Sequence, residues 1–130
     1  MDKKQLDIAL EEFFHEVQVN SGIDIQFRKN EPTFTLTSEA ELSIFRGVQE
    51  AITNAMRHGQ ATRITVLLMY NPSQLVVTIK DNGTGAVDLA PKGGLKSLQE
   101  RLRAEGGSVT LEASNPGVTV QMILPNTEKQ

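Results

Sequence analysis

The sequence predicts an α+β domain: a two-layer sandwich with three helices on one face of a mixed, mostly antiparallel sheet. Three observations predict it. Apolar residues recur at helical spacing in three stretches, 3–20, 39–59 and 95–105. The runs between and after them alternate apolar and polar residues with the two-residue period of a strand. Turn sequences, Asn71-Pro72-Ser73 and Asn115-Pro116-Gly117, join the last four runs in pairs as hairpins. Consecutive parallel strand–helix–strand units are not evident, which argues against a doubly wound nucleotide fold. The length of 130 residues fits one domain. There is no internal boundary or repeat; the core runs from about 5 to 124 and residues 125–130 form a polar tail.

The first helix, Lys3 to Asn20, carries an apolar stripe of Leu6, Leu10, Phe13, Phe14 and Val17, and Asn20-Ser21-Gly22 stops it. Ile23 to Arg28 alternates as a half-buried strand. Glu31-Pro32 breaks it, and Thr33 to Thr37 is a second extended piece, so the two form an edge hairpin. Ser38, with Glu41 three residues on, reads as a capping box for the central helix, Glu39 to Gly59. Thr62 to Tyr70 is apolar on both faces at its middle, as a central strand would be. Gln74 to Lys80 returns against it. Asp81 to Gly94 is irregular, with four glycines and a proline in fourteen residues, the kind of long loop that is functional or disordered in a compact domain. Leu95 to Glu105 is the third helix, burying Leu95, Leu98 and Leu102. Ser108 to Glu112 and Val118 to Leu124 are the last two strands.

Composition excludes several classes of function. There is no cysteine, hence no disulfide framework, thiolate nucleophile or cysteine-based zinc site. Two histidines, His15 and His58, exclude a His-rich metal site. A net charge of −3 gives no electrostatic footprint for nucleic acid. No segment approaches the roughly 20 apolar residues of a membrane span, and no signal peptide is visible. The chain is cytoplasmic in type.

The central helix divides into two faces. At about 100° per residue, Phe45, Val48, Ile52, Ala55 and Met56 fall on one side. Arg46, Glu50, Asn54 and Arg57 fall on the other, with His58 and Gly47 at its edge. A carboxylate and a short amide one turn apart, with a guanidinium near, suit an anionic ligand carrying a metal: the carboxylate accepts a proton, the amide oxygen ligates Mg²⁺, the arginine pairs with phosphate. Asp81-x-Gly83-x-Gly85 follows a strand directly, and Gly93-Gly94-Leu95 precedes a helix directly. Glycines let backbone approach a ligand. A helix N-terminus offers free N–H groups to phosphate, which nominates Gly93, Gly94 and the amides of Leu95 and Lys96. Asp81, at the mouth of the sheet, is placed to accept a hydrogen bond from a base amino group. Other motifs fail: there is no G-x-x-x-x-G-K-S/T, no G-x-G-x-x-G, and the twelfth position from Asp81 is Lys92 rather than the glutamate of an EF-hand.

That conjunction resembles the catalytic, ATP-binding domain of bacterial sensor histidine kinases, the Bergerat-fold (GHKL ATPase) group shared with gyrase, Hsp90 and MutL. It is most similar to the subfamily whose kinases pair with LuxR/NarL-type response regulators. The N box resembles Arg46 to Gly59, the first glycine box Asp81-Asn82-Gly83-Thr84-Gly85, and the second Gly93-Gly94-Leu95 running into Leu98 to Gly107. The resemblance covers residues 5 to 124, and the lid between the glycine boxes is short, as in that subfamily. It implies ATP and Mg²⁺ as ligands. Asn54 would hold the metal, and Glu50 would act as general base or polariser toward an attacking imidazole. Arg57 and His58 would touch phosphate, and Asp81 would hold the adenine amino group in a pocket shaped by Gly83 and Gly85. The implied partners are the dimerisation and phosphoacceptor helices of a parent kinase, which are absent here, and a cognate response regulator; the parent can be membrane-anchored. The isolated domain would be a monomer that binds ATP and phosphorylates nothing within itself.

Two departures stand out. Members of the subfamily often carry a bulkier residue between the second-box glycines; here Gly94 would leave the lid looser and Lys92 would add a phosphate contact. His15, beside the apolar stripe, lacks the acceptor context and reads as a boundary residue, as Arg101 reads as structural or solvent-facing. The alternative readings are an anti-sigma-factor-type serine kinase or a nucleotide-binding regulator of the same fold, and a scaffold without nucleotide.

Overall fold

The computed structural model describes residues 5–86 and 88–126. Along them run α1 (Gln5–Ser21), β1 (Asp24–Lys29), α2 (Ser38–Arg57), β2 (Arg63–Asn71), β3 (Gln74–Asp81), α3 (Gly93–Ala104), β4 (Ser108–Ala113) and β5 (Val118–Pro125). Residues 3 and 4 of the expected first helix, and residues 127–130 of the expected tail, lie outside the described chain. The sheet order is β1-β2-β3-β5-β4, with β1 parallel to β2 and every other pair antiparallel.

Two expectations at the left of the sheet are corrected. Thr33 to Thr37 is not a strand, so there is no edge hairpin. And β1-α2-β2 is a parallel crossover, a unit that the sequence reading did not see. The chain leaves the sheet at Asn30, whose side-chain amide replaces the next rung of the ladder: Oδ1 accepts from the Tyr70 N–H at 2.7 Å and Nδ2 donates to the Tyr70 carbonyl at 2.8 Å. Thr33 Oγ1 then donates to the Asn71 carbonyl at 2.7 Å. Phe34 turns inward instead of alternating, and its ring meets Tyr70 edge-on at 5.3 Å. With β2's end satisfied by side chains, no backbone groups remain there for a further strand to pair with.

The inward residues of all five strands align across the register. Ile25, Ile64 and Asp81 share one row; Val66 and Ile79 pair opposite each other, as do Leu68 and Val77, and Val77 and Met122. Except for Asp81 they are apolar, and they form one buried cluster with Leu6, Leu10 and Phe14 of α1, Ile44, Val48 and Ile52 of α2, and Leu95, Leu98 and Leu102 of α3. The two-layer sandwich is thus as expected. Aromatic contacts fasten α1: Phe13 to Phe45 of α2 and Phe14 to Phe27 of β1. The Lys29 ammonium bridges Asp7 and Glu11 from β1 and is held above its usual range chiefly by the Asp7 bond.

The central helix differs from its reading in three details. Its cap is Thr37, whose Oγ1 accepts from the Ala40 N–H at 3.1 Å. Ser38 is therefore the first helical residue rather than the N-cap that the expected Ser38/Glu41 capping box requires, and Glu41 is buried. The helix ends at Arg57, with His58 as its C-cap; the left-handed residue beyond is Gln60, not Gly59. And Gly47, expected at the edge of the wet face, is buried, because α3 crosses there: a Cβ at Gly47 would overlap Leu98 and lie 3.0 Å from Met122 Cε.

The β2–β3 turn is set by Asn71, whose Oδ1 accepts from the Ser73 N–H, the Ser73 hydroxyl and the Gln74 N–H at 2.8–2.9 Å. The last strand continues to Pro125, and the Asn126 N–H donates to the Ser73 carbonyl, so the tail begins inside the sheet. Among the described residues no helix is long and apolar enough to cross a membrane.

Candidate active site

A cleft of about 1140 Å³ opens where α2, the loop after β3, the start of α3 and the β4–β5 hairpin meet. From α2, Glu50, Asn54 and His58 reach it at i, i+4 and i+8, one above another on a single face. Glu50 and Asn54 are half-buried. The Asn54 side-chain amide has no hydrogen-bond partner among the described residues, so its carbonyl oxygen is free to ligate. Arg57, expected at phosphate, is exposed and does not line the cleft.

Strand parity places Asp81. Ile79 and Asp81 face inward on either side of the outward Lys80, and Asp81 ends a row that is otherwise apolar, with only 8% of its surface exposed. Its Oδ1 accepts from the Gly83 N–H at 2.8 Å and the Val118 N–H at 3.3 Å. Both bonds fall on one oxygen, which leaves Oδ2 to the cleft. Two glycines permit this seat. A Cβ at Gly117, where φ is +90°, would overlap the Asp81 carbonyl and lie 2.6 Å from Oδ1. A Cβ at Gly83 would overlap the Gly59 carbonyl, which accepts from the Thr84 N–H at 2.7 Å. The first glycine box is thereby pressed onto the end of α2. Asn82 makes the fastening double: its Oδ1 accepts from the Thr62 and Arg63 N–H groups, both at 2.9 Å. Gly85, in the left-handed region at φ +88°, also lines the cleft.

The N-terminus of α3 forms the opposite wall. Its N-cap, Lys92, makes no side-chain capping bond, and its first turn holds no acid. The Lys92 carbonyl accepts from the Leu95 and Lys96 N–H groups at 3.1 and 3.4 Å. The amides of Leu95 and Lys96 are therefore engaged, against expectation, and the open donors are those of Gly93 and Gly94. Leu95 lines the cleft from the core side. The Lys92 ammonium is 2.9 Å from Asp88, whose carboxyl is held below its usual range by the Ala90 N–H and then by Lys92 itself. Gly94 does not face the cleft. It lies against Glu50, where a Cβ would stand 2.9 Å from Oε1. A larger residue there would displace the carboxylate, which gives Gly94 a reason other than a looser lid.

Sequence reasoning missed one wall altogether. Leu111 and Ala113 of β4 and Val118 and Val120 of β5 point inward past the end of α3 and make an apolar floor. Their alternation was visible; that the helical layer stops short of them was not. Polar groups converge from Asp81, Asn54 and the α3 terminus above that floor, the arrangement of a site for a flat apolar group joined to an anion. Among the described residues no three His, Cys, Asp or Glu side chains cluster to hold a metal. A metal here would take Asn54 plus oxygens of the ligand and water, which suits Mg²⁺.

Residues 39–128, well over half of the chain, match the family model described as histidine kinase-, DNA gyrase B- and HSP90-like ATPase. The chain belongs to this family. Among its relatives, the oxygen sensor histidine kinase NreB of Staphylococcus carnosus is 29% identical over 98% of the chain, and the sensor histidine kinase YxjM of Bacillus subtilis 32% identical over 90%. The chain spans 38% and 29% of the length of those two proteins. In fold, the ATP-binding domain of PrrB from Mycobacterium tuberculosis superposes with a TM-score of 0.73 at 21% identity, covering 98% of this chain and 96% of that one. The histidine kinase ThkA, solved in complex with the response regulator TrrA, superposes at 0.76 and 16% identity over 98% of this chain and 41% of that one. This member of the ATPase family thus has the histidine-kinase type of nucleotide domain: three helices on one face of a five-stranded mixed sheet.

Proposed function

We propose that this ATPase-family domain binds ATP with Mg²⁺ and passes the γ-phosphoryl group to a histidine on a separate dimerisation helix of its parent sensor kinase. The observation that carries it is the convergence, on one cleft, of Glu50 and Asn54 from α2, Asp81 from the end of β3, and an uncapped α3 N-terminus. Adenine lies on the floor of Leu111, Ala113, Val118 and Val120, with its amino group donating to Asp81 Oδ2. The Gly93 N–H group and the α3 dipole receive phosphate oxygens, and the chain supplies alignment and charge rather than a covalent partner. His58 adds a donor at the rim, and Lys92 does so once it leaves Asp88. Asn54 Oδ1 would hold Mg²⁺, which would supply charge neutralisation for the transfer.

In the transfer step the lone pair of one imidazole nitrogen forms the new N–P bond. The P–O bond to ADP breaks, and its electron pair stays on the β-phosphate oxygen. The proton on the other ring nitrogen is held by, or passes to, Glu50. The same parent kinase then serves a response regulator, as ThkA was captured with one, TrrA; the resemblance of the boxes points to a regulator of the LuxR/NarL type. The domain itself works in the cytoplasm and is a monomer when alone. Titration calorimetry of ATP with and without Mg²⁺ tests the reading: wild type binds, and Asn54→Ala binds without metal dependence. No ATP affinity at millimolar concentration refutes it.

A further inference from the structure

The β4–β5 turn carries a side chain that the nucleotide reading leaves unused. Asn115, Pro116 and Gly117 form a rim of the cleft there. This rim is fastened to Asp81. The Val118 N–H donates to Asp81 Oδ1 at 3.3 Å, and Gly117 lies against the Asp81 carbonyl with no room for a Cβ. The turn is also closed from within, since the Ser114 N–H donates to the Gly117 carbonyl at 3.0 Å. The Ser114 and Thr119 hydroxyls hydrogen-bond across its base. Asn115 is exposed, and its carboxamide makes no hydrogen bond among the described residues. An amide with open donors and an open acceptor thus lines the same cleft that Asp81 Oδ2 faces.

We propose that Asn115 is a second reader of the base, its carboxamide accepting from the amino group of adenine and donating to N7. The inference rests on the nucleotide reading above and deepens it. Asp81 by itself is an incomplete reader. A carboxylate oxygen accepts from any exocyclic amino group, and cytosine carries one as adenine does. The adenine amino group has two hydrogens, and Asp81 Oδ2 takes one. The other lies beside N7, an acceptor. That donor and acceptor are the pair that an asparagine carboxamide matches with two bonds. Cytosine presents a carbon-bound hydrogen where adenine presents N7, so the second bond fails there. Guanine fails at Asp81 instead, because it carries a carbonyl in place of the amino group. The two residues together accept adenine and reject both. The fastening of the turn serves this role, since a carboxamide on a fixed rim loses less freedom on binding than one on a mobile loop.

The test is titration calorimetry of the domain with ATP, CTP, 7-deaza-ATP and 1-deaza-ATP, each with Mg²⁺. Wild type is compared with Asn115→Ala and with Asn115→Asp, which keeps the acceptor and loses the donor. Wild type should bind 7-deaza-ATP about two- to tenfold more weakly than ATP, the loss of one neutral hydrogen bond. Asn115→Ala should bind ATP more weakly by at least that factor and should no longer distinguish it from 7-deaza-ATP. A change that only loosened the turn would weaken both alike and keep the difference. Asn115→Asp should prefer 7-deaza-ATP, whose C–H does not repel the new carboxylate. The preference for ATP over CTP should narrow in both variants. The 1-deaza analogue probes the opposite edge of the base, and neither substitution should alter its penalty. Three results would each overturn the role of Asn115: equal binding of ATP and 7-deaza-ATP by wild type, a 7-deaza penalty that persists in Asn115→Ala, or a 1-deaza penalty that disappears there. In each of these, ATP binding by wild type leaves the nucleotide reading standing. Absence of ATP binding by wild type overturns both.

Discussion

Replacing Asp81 with asparagine isolates the proposed base contact from the fold. In the native site Oδ1 already serves two backbone donors, Gly83 N–H and Val118 N–H. Asparagine retains a carbonyl oxygen for both, so the loop after β3 and the β4–β5 turn keep their seat. What changes is the second position, where an acceptor becomes an NH₂ donor facing the adenine amino group, itself a donor. A hydrogen bond to a charged acceptor contributes about 1.5–3 kcal/mol, and the mismatch leaves buried donors unpaired as well. The expected loss is therefore at least roughly 10- to 150-fold in ATP affinity. The same NH₂ can donate to the O6 carbonyl of guanine, so GTP affinity should rise relative to ATP. Calorimetry with ATP and GTP on wild type and Asp81→Asn, with thermal melts to confirm an unchanged fold, makes the measurement. An unchanged ATP affinity in a folded variant refutes the assignment of Asp81. Asp81→Ala would be a poorer probe, because it orphans the Gly83 and Val118 N–H groups and confounds binding with stability.

Three further outcomes are expected. Gly117→Ala should lower stability by more than about 2 kcal/mol, since it forces a left-handed backbone on a side chain and overlaps the Asp81 carbonyl; chemical denaturation reads it, and a neutral result would show that the turn relaxes freely. Gly94→Ala should push Glu50 aside, because its Cβ would stand 2.9 Å from Oε1; histidine phosphorylation in the parent kinase should slow by about tenfold or more with a smaller change in ATP affinity, and equal losses in both would argue against a separate role for Glu50. Tyr70, the single tyrosine in a chain without tryptophan, is pushed up to about 12 by burial and then by Asp7 and Glu41. Its folded-state value lies above the ordinary 10.0 of a tyrosine, so the native protein retains a proton that the unfolded chain loses. Stability from this group is complete below pH 10 and falls as pH rises toward 12. Ultraviolet titration of phenolate should show the late midpoint, and ionisation near the ordinary value would contradict the burial.

Most of the layered architecture was legible because its signals are local. The 3.6-residue period of α3 and the Asn71 and Asn115-Pro116-Gly117 turns each specify their element from within a few residues. The parallel β1-α2-β2 crossover was not, because pairing between 24–29 and 63–68 is decided across a whole helix, whereas the nearby Thr33–Thr37 run invited a hairpin that side-chain bonds from Asn30 and Thr33 pre-empt. In the cleft, Glu50, Asn54 and His58 were readable from helix spacing, and Asp81 and the glycines from their position at element ends. Arg57 falls within about 20° of Glu50 in helix angle, yet it is the last residue of α2 and does not line the cleft, which angle alone could not decide. The floor from β4 and β5 escaped notice for the opposite reason: its residues look like core, and only the extent of α3 decides that they are uncovered.

The turn at Asn71 has a consequence far from itself. It lies some seven strand residues, roughly 23 Å, from Asp81, yet it counts out which side chains of β3 point toward the helices. Insertion or loss of a single residue there would slip the whole strand by one place, turning the ammonium of Lys80 into the cleft and the carboxylate of Asp81 out to solvent. The charge presented to the cleft at one end of the molecule is thus indexed from the other. An alteration to a surface turn outside the cleft can exchange its buried carboxylate for a cation.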